Sequence, residues 1–179
     1  MFKRTKSLFC GIAAILLLAG CGGGQPSTGD DDFDQNKDPH GQGIEMYVIG
    51  TYWNSWNTAT IKEASGCAFK KDTSTGFYTV DLTITDEMVA GNAEFKFIAT
   101  NSWSDQYGME DVNWEGSNDA FKNQYPGKTK HDWHEGKGNR SNIKVVTAGS
   151  WHIEYNPANF TGEEVEGVAL SNKFTISIK

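Results

Sequence analysis

Apolar residues recur at every second position along most of this chain and almost nowhere at the spacing of a helix. Tyr78, Val80, Leu82 and Ile84 alternate with Thr79, Asp81 and Thr83. Trp151, Ile153 and Tyr155 alternate with His152 and Glu154, and Phe174, Ile176 and Ile178 with Lys173, Thr175 and Ser177. Successive side chains of a strand point to opposite faces, so this period marks strands with one buried face. Further strands are expected over 45–51, 67–70 and 142–147, and a helical turn only at Asp86–Ala90. Turn formers separate these runs, as in Ser74-Thr75-Gly76 and Asn156-Pro157. Short strands in this number, without an internal repeat, predict an all-β fold, an antiparallel β-sandwich.

The first twenty residues stand outside that pattern. Lys3, Arg4 and Lys6 precede the apolar run Leu8–Leu18, which is too short to span a membrane and has the layout of a cleaved signal. Leu18-Ala19-Gly20-Cys21 resembles a bacterial lipobox, which implies lipid on Cys21 after cleavage; a secreted chain with an incidental Cys21 is the alternative. Residues 21–43 form a Gly-rich acidic tether with little to bury, expected to lack fixed structure. Its Asp30-Asp31-Asp32 run resembles the surface-export signals of Bacteroidetes lipoproteins. Calcium there is the alternative to a solvated charge run.

Residues 44–179 suffice for one domain. Once Cys10 leaves with the signal and Cys21 is acylated, only Cys67 remains, so no intramolecular disulfide is available and the core must hold the fold. Cys67, in the strand-like Cys67-Ala68-Phe69, is expected to be a buried small hydrophobe. The chain carries a net charge of −7, or −10 after losing Lys3, Arg4 and Lys6, and has no basic stripe. Nucleic acid is thereby excluded as a partner, and membrane contact is expected through the lipid anchor only.

Six Trp, 6 Tyr and 10 Phe are many for so polar a chain, and several Trp lie in polar surroundings. The strand Phe95-Lys96-Phe97-Ile98-Ala99 should send Phe95, Phe97 and Ala99 to the core and Glu94, Lys96 and Ile98 outward. It runs into a polar loop with Asn101, Trp103, Asp105, Gln106 and Tyr107. An indole among amides, acids and an outward cation suits a sugar, which offers both C–H faces and hydroxyls; a core Trp with a satisfied N–H is the other reading. Trp53 and Trp56 are three residues apart, and the spacing does not decide which of them plugs the end of the sandwich. Trp151 alternates with Ile153 and is expected in the core, whereas loop-borne Trp114 is a candidate to extend a binding surface.

The order of these pieces is similar to that of SusE/SusF-type starch-utilisation lipoproteins. Tyr47-Val48-Ile49-Gly50 leads to a Trp-bearing loop, and Gly76-Phe77-Tyr78-Thr79 opens a long strand. Phe95-Lys96-Phe97 precedes Trp103…Tyr107-Gly108, and Asn142-Ile143-Lys144-Val145 precedes Ala148-Gly149-Ser150-Trp151. It also loosely resembles family 20 starch-binding modules. The resemblance covers most of 44–179 and implies an Ig-like sandwich on the outer membrane, exposed at the cell surface. The implied partners are a polysaccharide or oligosaccharide, α-glucan favoured, and outer-membrane importer components. It implies stacking roles for Trp56 and Trp103 and sugar hydrogen bonding for Lys96; Trp53, Asn101, Tyr107 and Trp114 are further candidates from their own surroundings in the sequence. Ser55 stands where the family has Gly, and Trp53 is an added aromatic.

Catalysis is not expected, nor is a cofactor or a metal. Glu110, Asp111 and Glu115 are nominal carboxylates for glycoside hydrolysis, but a small sandwich offers little cleft to hold two across a substrate. His131-Asp132-Trp133-His134-Glu135 lacks a helical frame and a third ligand, and reads as a charged, mobile loop. The remaining rival is an adhesion lipoprotein that uses the same Trp to hold another protein.

Overall fold

Strand pairing explains where the alternation leads. The computed structural model describes residues 45–99, 101–114, 119–136, 138–159 and 163–179, all within the second of two units into which the chain divides, Asp32–Lys179. The signal, Cys21, the tether with Asp30–Asp32, and Glu115 lie outside the described residues. The fold is mostly strands in antiparallel sheets with a few short helices.

One sheet is built on β4 (Glu94–Ala99). β1 (Met46–Gly50) lies along one side of it, from Met46↔Ala99 to Gly50↔Phe95. On the other side two short strands lie end to end: β6 (Ile143–Lys144) opposite Glu94 and Phe95, and β5 (Gln106–Tyr107) opposite Phe97 and Ile98. The second sheet has the order β10 (Phe174–Ile178), β7 (Gly149–Tyr155), β3 (Tyr78–Ile84), β2 (Lys70–Lys71). Residues just before β2 pair with β1, through Phe69 N to Met46 O (3.0 Å) and Val48 N to Cys67 O (2.8 Å), so this segment passes from one sheet to the other. A hairpin of β8 (Glu164–Val165) and β9 (Val168–Ala169) turns on Glu166 and Gly167, both at positive φ as a tight two-residue turn requires.

The sheets meet through aromatic side chains. Phe97 stacks on Phe174 with centroids 4.1 Å apart, and Phe95 meets Trp151 edge-on at 6.2 Å. Gly50 is required where β1 approaches β4, because a Cβ there would lie 2.2 Å from Glu94 O. Cys67 is buried and free, and burial pushes its thiol pKa up. Trp151 is fully buried, as its alternation predicts.

Four expectations are corrected. Ile98 does not face outward: it is fully buried, as is Ile49 on the same face. β4 is a central strand whose outer face is covered as well, beside a 3-10 turn (Thr58–Glu63) that packs along β1 and buries Ile61. Helices are not confined to α1 (Asp86–Ala90), since α2 (Asp119–Gln124) and α3 (Lys130–Trp133) also form. The His131–Glu135 stretch is therefore helical in its first half, while His131, Asp132 and Glu135 stay exposed as expected of a charged segment. Asp132 accepts from Thr129 N (2.7 Å) and Oγ1 (3.0 Å) to frame α3, Lys130 is buried with Nζ on Ser171 O (2.9 Å), and the His134 side chain is 3% exposed. The strand expected over 142–147 shrinks to β6.

Candidate functional site

Register alone brings one set of polar groups together. On β4, Glu94, Lys96 and Ile98 share a face; Gln106 pairs with Ile98, and Lys144 with Glu94, so both point the same way. Asn142, two residues before Lys144, continues that face. Lys96 stands where β6 ends and β5 begins, between Asn142 and Gln106. These three, with Asn139, Trp56 and Trp103, line a cleft of about 360 Å³.

The two indoles come from opposite sides. Trp103 is carried by the turn between β4 and β5 and is 41% exposed. Trp56 ends the 3-10 turn Asn54–Trp56 that follows β1, and is half-buried. Their ring centroids lie 6.2 Å apart with the planes inclined by 34°. Gln106 fixes the polar wall: Oε1 accepts from Lys96 Nζ (3.2 Å), and Nε2 donates to Trp103 O (3.1 Å) and Gly138 O (3.3 Å). Asn142 Nδ2 donates to Glu94 Oε2 (2.8 Å). Lys96 spends one of an ammonium's three donors on Gln106. Burial pushes the Lys96 pKa down, while the fields of Glu135, Glu110 and Glu94 push it back up.

Trp56, Lys96 and Trp103 are thus brought together, and four other candidates are not. Trp53 is 7% exposed and meets Phe95 edge-on at 5.3 Å, so it is the plug of the pair. Tyr107 pairs with Phe97 and therefore faces the core, where it packs on Phe174 at 5.5 Å. Trp114 is 9% exposed and packs with Phe121 at 5.3 Å and Tyr125 at 6.4 Å, because α2 folds over it. Asn101 is exposed at the hairpin turn and does not line the cleft. Gln106, Asn139 and Asn142 supply the amides instead. Alternation from Ile143 could have put Asn142 on the outer face, but its meeting with Lys96 depends on a register between strands far apart in sequence.

A second polar group lies buried behind this wall. Glu110 and Asp111, in the 3-10 turn Met109–Asp111, are fully buried. Both Glu110 oxygens accept from Ser141 N (3.1 and 3.0 Å). Asp111 accepts from Gly108 N (2.9 Å), Arg140 Nε (3.0 Å) and Ser171 N (2.9 Å). Burial raises both carboxyl pKa values, that of Glu110 to about 7, with the Arg140 guanidinium opposing. His134 Nδ1 is 4.0 Å from Glu110 Oε1. Among the described residues no three His, Cys, Asp or Glu side chains converge as metal ligands, and no helix is long and apolar enough to cross a membrane.

No family model, no curated protein and no solved structure matches this chain.

Proposed function

We propose that this chain is a lipid-anchored, surface-exposed glycan-binding protein of the outer membrane, an Ig-like sandwich that captures starch or a related α-glucan for a neighbouring importer. The observation that carries this reading is the Trp56–Trp103 pair, 6.2 Å apart and tilted by 34°, above Lys96, Gln106, Asn139 and Asn142. A pyranose presents an apolar face of C–H bonds, which an indole removes from water while its π-face attracts them. Two inclined indoles accept successive rings of a curved chain better than those of a flat one. Lys96 donates to hydroxyls. Among the described residues the cleft lining has no carboxylate to act as acid or nucleophile, which favours capture over cleavage.

The cleft is open, and sites of that kind hold sugars at about micromolar to millimolar Kd. Copies anchored side by side on a membrane gain avidity. The test is gel retardation and titration calorimetry with amylopectin, pullulan, β-glucan and mannan. Amylopectin or pullulan should bind, and Trp56→Ala or Trp103→Ala should each weaken binding by about 2 kcal/mol or more, roughly 30-fold. Retention of binding in the double variant, or no binding of any glycan, overturns the reading. Capture of a surface protein in place of glycan points to the adhesin.

A further inference from the structure

The sheet built on β4 ends at β5, and along that edge lies a hollow of about 280 Å³. Gln106 and Tyr107 point to opposite faces of β5, yet both line the hollow, which places it beside the edge and not over one face. Ser104 and Asp105 lead into it from the turn that carries Trp103, and Arg140 and Val168 help to complete its walls. Its size, small for a ligand pocket, suits a single sugar ring. Gln106 also lines the Trp56–Trp103 cleft, so cleft and hollow share one wall.

That wall is fixed in place. Gln106 gives Oε1 to Lys96 Nζ and Nε2 to Trp103 O and Gly138 O, which ties the Trp103 turn to the segment that carries Asn139 and Arg140. Asp105 O accepts from Ala99 N (2.9 Å), so the turn is pinned to β4 as well. A ligand crossing from cleft to hollow therefore meets a set surface and orders little on arrival.

Two charged groups in the hollow stand open. Arg140 donates Nε to Asp111 (3.0 Å) and Nη2 to Ala169 O (2.6 Å), which holds the guanidinium plane still. Its Nη1 has no partner among the described residues and is not sealed from solvent. Asp105 lines the same hollow but forms no ion pair among the described residues, so it and Arg140 are too far apart to satisfy each other. Burial and, after it, the Asp105 carboxylate push the Tyr107 hydroxyl pKa up, which sets that carboxylate beside the phenol. A guanidinium donor and a carboxylate acceptor that do not pair suit adjacent sugar hydroxyls, one accepting and the next donating. With one charge of each sign, the hollow favours neutral hydroxyls over an anion.

We propose that cleft and hollow are consecutive subsites of one glycan site. Two rings of an α-glucan lie on Trp56 and Trp103, and the next ring enters the hollow with one hydroxyl on Arg140 Nη1 and its neighbour on the Asp105 carboxylate. This rests on the glycan reading of the cleft and adds a length to it, a chain of three rings or more. The chain crosses at Gln106, whose committed amide serves as a sill. Among the described residues no indole lines the hollow, so the third ring is recognised by its hydroxyls and hence by their stereochemistry.

The test compares maltose, maltotriose and maltotetraose by titration calorimetry and follows the Arg140 Nε–H by ¹H–¹⁵N NMR. Arg4 and Arg140 are the two arginines of the chain, so Arg4→Lys assigns that signal. The two longer sugars should bind about ten-fold more tightly than maltose, the worth of one hydrogen bond to a charged group. They should also shift the Arg140 signal saturably where maltose does not. Asp105→Asn, which keeps the side chain's size and removes its charge, should abolish most of the gain and leave maltose binding unchanged. Equal affinity for all three sugars, an unmoved Arg140 signal, or a full gain in Asp105→Asn overturns the subsite and spares the cleft. Absence of binding by all three overturns both.

Discussion

Trp56 reaches the cleft through a backbone that few residues adopt. Asn54, Ser55 and Trp56 have φ of 57°, 46° and 61°, the left-handed region in which a Cβ is crowded. Non-glycine residues held there cost about 1–3 kcal/mol each, and such conformations gather where a side chain must be aimed. Local bonds offset part of that cost. The Asn54 side chain bonds Asn57 O and Thr60 Oγ1, and Asn57 Oδ1 accepts from Ala59 N. Glycine would suit the Ser55 position for a conformational reason, since it adopts positive φ without a crowded Cβ. Ser55→Gly is expected to raise stability by about 1 kcal/mol in urea unfolding, with glycan affinity unchanged. A loss of stability would mean that the serine is not strained.

At the scale of elements, the turn Met109–Asp111 ties together segments that the sheets leave loose. Glu110 holds Ser141, next to cleft residues Asn139 and Asn142, and Asp111 holds Arg140 and Ser171. Gly108 stands at the crossing because a Cβ there would lie 2.2 Å from Ser141 O. Since burial raises the folded pKa of Glu110 to about 7, the folded state favours its proton more than the unfolded state does. The cost of burying its charge is therefore absent below the ordinary value of 4.5, grows as pH rises, and is complete above about 7. Stability should fall by about 3 kcal/mol across that window, and Glu110→Gln should flatten this part of the profile. Urea unfolding of both proteins at intervals from pH 4.5 to 8 decides it; parallel curves would mean that Glu110 does not carry the effect. None of this was legible beforehand. The long strands β3, β7 and β10 stand out because one face packs and alternation survives. Residues 106–136 carry strands of two residues and helices of four to six, too short for any period to declare itself. Their apolar anchors Phe121 and Tyr125 look, in sequence, like isolated aromatics in a polar stretch.

For the molecule as a whole, the same contrast separates core from site. Trp56, Lys96 and Trp103 could be anticipated because each flanks or sits on a strand that the alternation marks. Trp53, Tyr107 and Trp114 could not be sorted, since only the packing of distant segments decides which indole or phenol is covered. Phe174 shows how that packing is held. It stacks on Phe97 across the sheets, meets Phe69 at 6.2 Å and Tyr155 at 5.0 Å, and its carbonyl accepts from Asn113 N at 2.6 Å. Phe174→Ala removes the ring on which both sheets close, and a cavity of that kind costs about 3–5 kcal/mol, a large part of a domain's usual 5–15 kcal/mol. Yet Phe174 does not line the Trp56–Trp103 cleft. The variant should therefore unfold at markedly lower urea while its folded fraction, held at low temperature, binds glycan with unchanged Kd. Trp103→Ala should do the reverse, sparing stability and losing affinity. If both variants moved stability and affinity in proportion, the indole ledge would be part of the core, and the separation of scaffold from binding surface would fail.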